Sequence, residues 1–312
     1  MGSKALPRCK DGTATIQRFP NRTAPKFEEV ITFCRQYDVG LVVVGPEQML
    51  ADGLADQLRA EDIPVFGPSK AAAQIEASKA FAKDFMKRHN IPTAEYQTFS
   101  AQNGGVEAAL KYIDSVPFDV VVKASGLAAG KGVVVPETAE EAKAAVRECL
   151  EAKKFGDAGA EVVLEERMFG PECSILALCD GKRIAVLPPA QDHKRIFDGD
   201  RGPNTGGMGA FAPTPVVKPE MMEQIRKEIL MPTIDGLRAE GKPFIGCLFA
   251  GLMITANGPK VIEFNCRFGD PETQAVLPLL ECDLYHVLNS CAQGELVNPD
   301  TAIGVSEVPA TG

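Results

Sequence analysis

Two dipeptides that favour tight turns, Asp180-Gly181 and Asn257-Gly258, each separate a pair of apolar segments in the second half of the chain. Asp-Gly and Asn-Gly are the strongest short-range signals for a two-residue β-hairpin turn. The strands predicted around these turns cover residues 173–179 and 183–186 for the first hairpin, and 248–255 and 260–264 for the second. This part of the chain is therefore expected to form antiparallel sheet.

The first quarter of the chain has a different pattern. Apolar residues spaced by three and four predict a helix at 25–37, and a short apolar strand follows at 41–44. A helix at 49–60 and a strand at 65–66 repeat the arrangement, and a long helix is expected within 69–90. Helices that alternate with strands through short connections are typical of a parallel α/β layer. The expected fold class is thus a parallel α/β lobe followed by an α+β region.

Charge and cysteine content exclude several classes of protein. The formal net charge is -9, and an acidic surface repels phosphate backbones, so general nucleic-acid binding is not expected. The nine cysteines include no C-x-x-C pair, and only three histidines are present, which argues for reduced cysteines in a cytoplasmic protein and against a zinc site. No apolar segment approaches the ~20 residues that span a bilayer, so no membrane association is expected.

A glycine-rich hairpin is the first segment with a chemical signature. Gly126 and Gly130 enclose three residues, and Gly132 follows Lys131, so the spacing differs from a Walker A loop. Small residues allow the backbone to approach phosphate oxygens, and consecutive N–H groups can bind an anion. Lys123 and Lys131 would add positive charge. The alternative is a flexible hairpin with two solvated lysines.

The segment VIEFNCRFGDPE, beginning at residue 261, predicts a strand with a polar face. An extended backbone places Glu263, Asn265 and Arg267 on one side, with a carboxylate and a carboxamide about 6–7 Å apart at the backbone. Such oxygen donors suit Mg²⁺ that bridges nucleotide phosphates, and Arg267 could grip a carboxylate or phosphate. The alternative, an edge strand with its polar face in water, is weakened by the further acidic residues Asp270 and Glu272.

Two polar segments, QDHKR at 191–195 and GPNTGGMG at 202–209, lie between residue 186 and a helix predicted at 219–240. They predict a long connection without regular structure, and such loops are usually functional or disordered. Asp192 and Lys194 are candidate substrate contacts, whereas His193 is more typical of a surface histidine.

Acidic residues also stand at strand ends. Glu165 and Glu166 end an apolar strand, and Glu172 begins the next one. They could line the adenosine side of a nucleotide site, or they could be exposed strand-end carboxylates.

Taken together, these segments resemble the glycinamide ribonucleotide synthetase family, whose members are ATP-grasp enzymes. The matching segments are VVVGPE (42–47), FGPSKAAAQIEASKAFAKDFMKRHNIPTA (66–94), VVKASGLAAGKGVVV (121–135), FGDAG (155–159), PPAQDHKR (188–195), GPNTGGMGA (202–210) and VIEFNCRFGDPETQ (261–274). The most specific of them are QDHKR, GPNTGGMGA and FGDPE.

The resemblance implies a fold and a set of ligands. We expect a truncated N-terminal α/β domain at 1–78, an ATP-grasp domain of two sub-domains at 79–291, and the start of a truncated C-terminal domain at 292–312. ATP would lie between the two sub-domains with Mg²⁺ or Mn²⁺. The implied roles are phosphate contacts for Lys79 and Lys123, a lid formed by Gly126, Gly130, Lys131 and Gly132, an adenosine side lined by Glu165, Glu166 and Glu172, metal binding by Glu263 and Asn265, and substrate contacts for Asp192, Lys194 and Arg267.

The activity implied by the resemblance is ATP-dependent ligation of glycine to 5-phosphoribosylamine through glycyl phosphate, in purine biosynthesis. Fusion or association with other activities of that pathway is also expected. Residues 1–24 are unlike the family's N-terminal substrate loops, and the chain stops where the family's C-terminal domain begins. We therefore expect binding of ATP with little product formation. The alternatives are a non-catalytic ATP-binding remnant and an ATP-grasp ligase for another carboxylate.

Overall fold

The computed structural model describes residues 26–128, 132–152, 154–199, 201–297, 303–305 and 310–311. The first elements form the N-terminal lobe: α1 (Phe27–Gln36), β1 (Val42–Val43), α2 (Glu47–Asp52), α3 (Leu54–Ala60) and β2 (Val65–Phe66). β1 and β2 pair in parallel, which confirms the parallel α/β arrangement. The helix predicted at 49–60 is divided, because Gly53 has φ 100° and ends α2 before α3 begins.

The long helix expected within 69–90 is also divided, into α4 (Gln74–Ala77), which we include in the N-terminal lobe, and α5 (Lys79–Arg88). Ser78 between them is extended, with φ -135° and ψ 110°, and its hydroxyl accepts a hydrogen bond from the Phe81 N–H. Ser78 therefore caps α5. The break makes Lys79 the first residue of α5, where its N–H donates to the Ser125 carbonyl over 2.8 Å.

The first sheet and its helices come next in the chain. They are β3 (Tyr96–Ser100), α6 (Gly105–Ser115), β4 (Val120–Ala124), β5 (Val133–Val134), α7 (Ala139–Leu150) and β6 (Glu161–Glu166). The strand order is β3-β6-β4-β5 and every pair is antiparallel. The glycine-rich hairpin is confirmed as β4 and β5. A core that includes Phe99, Ile113, Val122, Val146 and Leu164 joins α6 and α7 to this sheet.

The remaining elements build the second sheet and its cover. They are β7 (Glu172–Asp180), β8 (Ile184–Val186), β9 (Gln191–Phe197), β10 (Arg201–Ala212), α8 (Pro219–Ile225), α9 (Met231–Ala239), β11 (Ile245–Thr255), β12 (Gly258–Asn265), α10 (Glu272–Val276), α11 (Leu284–Gln293) and β13 (Ala310–Thr311). The second sheet has the order β12-β11-β7-β8 and is antiparallel throughout. Both hairpins predicted from Asp-Gly and Asn-Gly are confirmed.

The prediction of an unstructured connection between residue 186 and α8 is wrong. β9 and β10 form an antiparallel hairpin in which Gln191 pairs with Phe211 and Asp192 with Ala210. The register shifts on either side of Asn204, and Gly202 and Gly207 adopt positive φ. Backbone hydrogen bonds can form strands that lack alternating apolar residues, and glycine can adopt the positive φ that a shift of register requires. The hydropathy pattern therefore did not indicate β9 and β10.

The helix predicted at 219–240 contains a π-helical segment, Arg226–Leu230, between α8 and α9. Pro232 follows this segment in the first turn of α9. Proline has no N–H to donate to the preceding turn, and a local π-helical turn is one way in which a helix adjusts.

Alternate residues of the second sheet enter two different cores. Ile175, Ala177 and Cys179 of β7 pack in a core shared with the N-terminal lobe, α5 and α9. Leu176 and Leu178 pack on the opposite face with α11 and the β9–β10 hairpin. The second sheet is therefore covered on both faces, and the N-terminal lobe shares a continuous core with it. Within the described ranges, no helix combines the length and apolar character needed to cross a bilayer, and every cysteine there is a free thiol.

Candidate functional site

Three charged side chains meet in the interior at Glu165, the next-to-last residue of β6. The Nζ atoms of Lys83 and Lys123 lie 2.9 Å and 3.0 Å from the same Glu165 oxygen, Oε2. The side chains of Lys83, Lys123 and Glu165 are only 2%, 6% and 3% exposed. Moving a charge out of water costs free energy, and removing one partner of a buried ion pair leaves an uncompensated charge. The three side chains therefore stabilise the fold only when all three are present. Glu165 is therefore not an exposed strand-end carboxylate.

The cluster also connects the first sheet to the second. Lys123 Nζ donates to the Ile262 carbonyl over 3.0 Å. Lys83 Nζ donates to Thr93 Oγ1 over 2.7 Å, and that hydroxyl donates to the Val261 carbonyl over 2.7 Å. Both carbonyls belong to β12. The pairing of β11 with β12 skips Ile262, and a residue in such a bulge is left outside the ladder, so the Ile262 carbonyl is available to Lys123.

The cluster carries more positive than negative charge. Burial alone would raise the pKa of Glu165, but Lys123 and Lys83 hold it below its usual value. Burial lowers the pKa of Lys83 to about 8, against the opposing charge of Glu165. Within the part of the chain that the structure describes, the second Glu165 oxygen, Oε1, is buried without a hydrogen-bond partner. Two ammonium groups thus share one oxygen of one carboxylate.

Lys79 extends this basic region toward β12. Burial lowers its pKa, the charge of Glu263 opposes that effect, and the charge of Lys123 adds to it. Lys79, Lys123 and Glu263 therefore interact electrostatically across the junction between the two sheets. These groups come from α5, β4 and β12.

The polar face predicted for the strand that contains Glu263 is present on β12. Glu263 is half-buried, and Asn265 is 9% exposed. Arg267 lies beyond the end of the strand, where its Nη2 is 3.5 Å from Asn265 Oδ1 and 3.2 Å from Glu76 Oε1. Its Nε is 3.6 Å from Glu47 Oε2. Arg267 is thus oriented by acidic residues of the N-terminal lobe.

Glu76 has a second set of contacts. Its Oε2 accepts hydrogen bonds from the Cys266 N–H at 2.7 Å and from Cys266 Sγ at 2.9 Å. Burial raises the pKa of Glu76, whereas the charge of Arg267 lowers it. This carboxylate on α4 therefore fixes the backbone just after Asn265, and it links the N-terminal lobe to the end of β12.

The base of the glycine-rich hairpin is held by close backbone contact. A Cβ atom at Gly126 would lie 2.6 Å from Ala158 Cα, and the Gly126 N–H donates to the Ala158 carbonyl over 3.0 Å. A Cβ at Gly132 would lie 2.9 Å from Ala128 Cβ. Glycine is therefore required at both positions. Gly130 and Lys131 lie outside the described residues.

The other predicted residues have contacts of their own. Glu166 follows Glu165; its Oε2 accepts from the Glu95 N–H over 3.4 Å and lies 3.9 Å from Lys260 Nζ on β12. Glu172 is exposed at the start of β7. Asp192 lies on β9 opposite Ala210, and the Lys194 side chain is outside the described part of the same strand. The His193 ring stacks on Phe211 with centroids 5.8 Å apart, which fits the surface role expected for it.

Sequence reasoning missed Lys83, Thr93 and Glu76. Lys83 lies one turn after Lys79, and residues four apart share a helix face; that spacing was the available signal. Thr93 and Glu76 gave no signal in the sequence, because a threonine after a proline and a glutamate in a short helix are common at protein surfaces.

The oxygen donors on β12 fit a metal held together with phosphates. In the described ranges, no group of three or more His, Cys, Asp or Glu side chains could hold a metal by itself. Mg²⁺ usually keeps several waters and binds one or two carboxylates together with substrate phosphates. Glu263 and Asn265 beside Lys79 and Lys123 match that donor set, since the lysines would bind the phosphates.

Comparison with known proteins gives concordant matches. Residues 77–273 match the family model described as phosphoribosylglycinamide synthetase, ATP-grasp (A) domain, and residues 5–76 match the N domain of the same family. A bifunctional purine biosynthetic protein of Schizosaccharomyces pombe is 52% identical over 277 residues, which are 89% of this chain and 35% of that protein. The phosphoribosylamine–glycine ligase of Pasteurella multocida is 50% identical over 288 residues, which are 91% of this chain and 66% of that protein.

A solved structure gives the same result. The crystal structure of phosphoribosylamine–glycine ligase from Thermotoga maritima superposes with a TM-score of 0.72 and 31% sequence identity, over 82% of this chain and 63% of that one. The chain thus spans about a third of the S. pombe relative and just under two thirds of the other two proteins.

Proposed function

The chain belongs to the phosphoribosylglycinamide synthetase family, and from that premise we propose that it binds ATP with a divalent cation and uses it to join glycine to 5-phosphoribosylamine. The observation that carries this proposal is the junction of the two sheets. There, Lys79 and Lys123 provide positive charge, and Glu263 and Asn265 provide oxygen ligands on the facing strand.

Different residues around the junction bind different parts of ATP. Lys79 and Lys123 contact the phosphates, and the glycine-rich hairpin offers them backbone N–H groups, which small residues such as Gly126 and Gly132 allow to come close. Glu166 and Glu172 lie on the adenosine side. Glu165, which the family resemblance also assigned to that side, is buried against two lysines, so we assign it to the orientation of Lys123.

Glu263 and Asn265 would hold the divalent cation, Mg²⁺ or Mn²⁺. A cation held there would supply positive charge against the negative charge that develops during phosphoryl transfer. Such transfer depends on positioning and on charge more than on a protein nucleophile. The chain therefore needs oxygen ligands and cationic side chains at the junction, and no catalytic triad.

The reaction has two steps. The carboxylate oxygen of glycine attacks the γ-phosphorus of ATP, which releases ADP and forms glycyl phosphate. The amine of phosphoribosylamine then attacks the carbonyl carbon; phosphate leaves, and the amine loses a proton as the amide forms. Arg267 orients a substrate carboxylate or phosphate with its planar guanidinium, and Asp192 and Lys194 on β9 contact the amine substrate.

The setting of this activity is also a proposal. The S. pombe relative is named a bifunctional purine biosynthetic protein, and we propose that this chain likewise works fused to, or beside, other activities of purine biosynthesis. A cytoplasmic location would suit such an activity.

Release of ADP is the direct test of the ligation. The 312-residue chain is incubated with Mg-ATP, glycine and phosphoribosylamine, and ADP is followed in a coupled assay. Slow ADP release that needs both substrates for repeated turnover, and that Lys123→Met abolishes, is the expected result, in keeping with the small amount of product expected from the sequence. ATP binding without ADP release would instead favour a non-catalytic role, and ADP release with another carboxylate in place of glycine would reassign the substrate.

A further inference from the structure

Lys83 is a buried cation to which the proposed reaction gives no role. Its side chain is 2% exposed, and lysine is almost never fully buried unless it is paired. It lies one helical turn after Lys79 on α5, and its Nζ contacts Glu165 Oε2 and Thr93 Oγ1. A buried lysine next to a proposed phosphate ligand calls for a physical explanation.

The explanation lies in the way in which Lys123 is held. An ammonium group has three N–H donors. Among the described residues, the Lys123 donors reach Glu165 Oε2 on β6 at 3.0 Å and the Ile262 carbonyl on β12 at 3.0 Å. These two acceptors fix the ammonium between the sheets and leave one N–H for a ligand.

Glu165 has two oxygens, and only Oε2 contacts the lysines. If Lys83 were absent, both oxygens could turn to Lys123. The resulting one-to-one pair would be neutral, and it would draw the ammonium away from the Ile262 carbonyl. Because Coulomb interactions are strong in a buried setting, this loss of net charge would weaken the attraction for phosphate.

We propose that Lys83 is a positioning residue for Lys123: by sharing the Glu165 carboxylate, it keeps the net charge of the three-residue cluster positive and holds the Lys123 ammonium in place for a nucleotide phosphate. Thr93 completes the arrangement, because it ties Lys83 to the Val261 carbonyl of the second sheet. This inference rests on the proposed function, in which Lys123 contacts ATP.

The test compares nucleotide affinities by titration calorimetry on the 312-residue chain. Lys83→Met should weaken Mg-ATP binding about tenfold to a hundredfold, the range for loss of a group that orients a ligating residue. Adenosine binding should stay unchanged, since adenosine has no phosphate. Lys83→Arg, which keeps the charge, should restore most of the affinity for Mg-ATP.

Two matched controls separate positioning from general destabilisation. Lys242 is another partly buried lysine that contacts α5, where its Nζ lies over the Phe81 ring at 4.6 Å, so Lys242→Met removes one charge away from Glu165. Thr233 is fully buried and donates to the Ile229 carbonyl at 2.7 Å, so Thr233→Val removes a buried hydroxyl inside a helix. Both variants should bind Mg-ATP as the unmodified chain does.

If Lys83→Met does not fold, Thr93→Val replaces it, and a smaller loss of Mg-ATP affinity in the same direction is expected. Unchanged Mg-ATP affinity in the variant that folds, together with lost affinity in Lys123→Met, would overturn the positioning role and leave the proposed function intact. An equal loss of ATP and adenosine affinity would also overturn it. If the unmodified chain fails to bind Mg-ATP, the proposed function falls, and the role of Lys83 falls with it.

Discussion

At the scale of single residues, the site depends on a few charges placed at the junction of two sheets. Lys123 and Glu263 stand out in the sequence, because a glycine-rich hairpin and an alternating polar strand single them out. Lys83 does not, because a lysine on a helix normally indicates a solvent-exposed position. Its partner Glu165 lies far away in the chain, and a pairing of that kind depends on tertiary structure, which no local pattern contains.

A substitution at Glu263 tests the metal assignment. Glu263→Gln keeps the shape of the side chain but replaces a charged oxygen ligand by a neutral one. We expect Mg²⁺-dependent ATP binding to weaken by about tenfold or more, since loss even of an outer partner of a metal ligand has an effect of that size. Calorimetry with ATP at several Mg²⁺ concentrations measures it.

The fold should tolerate this change, because Glu263 is only half-buried, and the melting temperature should stay close to that of the unmodified chain. Glu220→Gln, at an exposed position on α8, is the matched control and should affect neither quantity. A structural role for Glu263 would show itself in the opposite way, as a lower melting temperature with normal ATP binding per folded molecule.

At the scale of elements, local turn signals were reliable and helix continuity was not. Asp180-Gly181 and Asn257-Gly258 gave correct hairpins because such turns need positive φ, which glycine adopts readily; Gly181 and Gly258 have φ of 95° and 99°. The helix expected across Ser78 is broken at that residue. Serine is a preferred N-cap, but the break was not predicted because apolar residues continue on both sides of Ser78. The β9–β10 hairpin could not be predicted, since backbone pairing with a shifting register leaves no hydropathy pattern.

The ends of α5 and α9 are joined by a second charge cluster, which predicts a pH dependence of stability. Glu240 Oε1 lies 2.9 Å from Arg88 Nη2 and 3.0 Å from His89 Nε2, and its Oε2 accepts from Lys242 at 3.0 Å. Burial would raise the pKa of Glu240, but these hydrogen bonds lower it to about 2 from 4.5. A carboxylate with a lowered pKa in the folded state stabilises that state above the unfolded pKa, and the effect is lost as the pH falls toward the folded pKa.

We therefore expect Glu240→Gln to lower the free energy of unfolding by about 1 kcal/mol at pH 6, the upper range for partly exposed ion pairs. The difference from the unmodified chain should shrink as the pH falls from 4.5 toward 2. Urea unfolding at a series of pH values measures it. Glu140→Gln removes an exposed partner of Lys143 and should have little effect at any pH; a loss in Glu240→Gln that is independent of pH would contradict the assignment.

At the scale of the whole molecule, the N-terminal lobe and both sheets meet along β12. Lys123 and Thr93 reach the carbonyls of Ile262 and Val261 on β12, and Glu76 of the lobe binds the Cys266 N–H just beyond that strand. The general architecture could be predicted, because short periodic segments define it. The way in which these parts meet could not, because it depends on contacts between residues that are distant in sequence.

This connection predicts that a nucleotide stabilises both sheets together. A ligand that binds only the folded state adds about 2.7 kcal/mol of stability at a concentration of 100 times its Kd. Because Lys123 belongs to the first sheet and Glu263 to the second, Mg-ATP should slow amide hydrogen exchange in β4 and β6 and also in β11 and β12. Adenosine lacks the phosphates that we propose to link Lys123 to Glu263, so it should protect β6 and the start of β7, where Glu166 and Glu172 lie, and leave β4 and β12 without added protection. Equal protection patterns for Mg-ATP and adenosine, or Mg-ATP protection restricted to one sheet, would contradict a site built across the junction and would place the nucleotide within a single sub-domain.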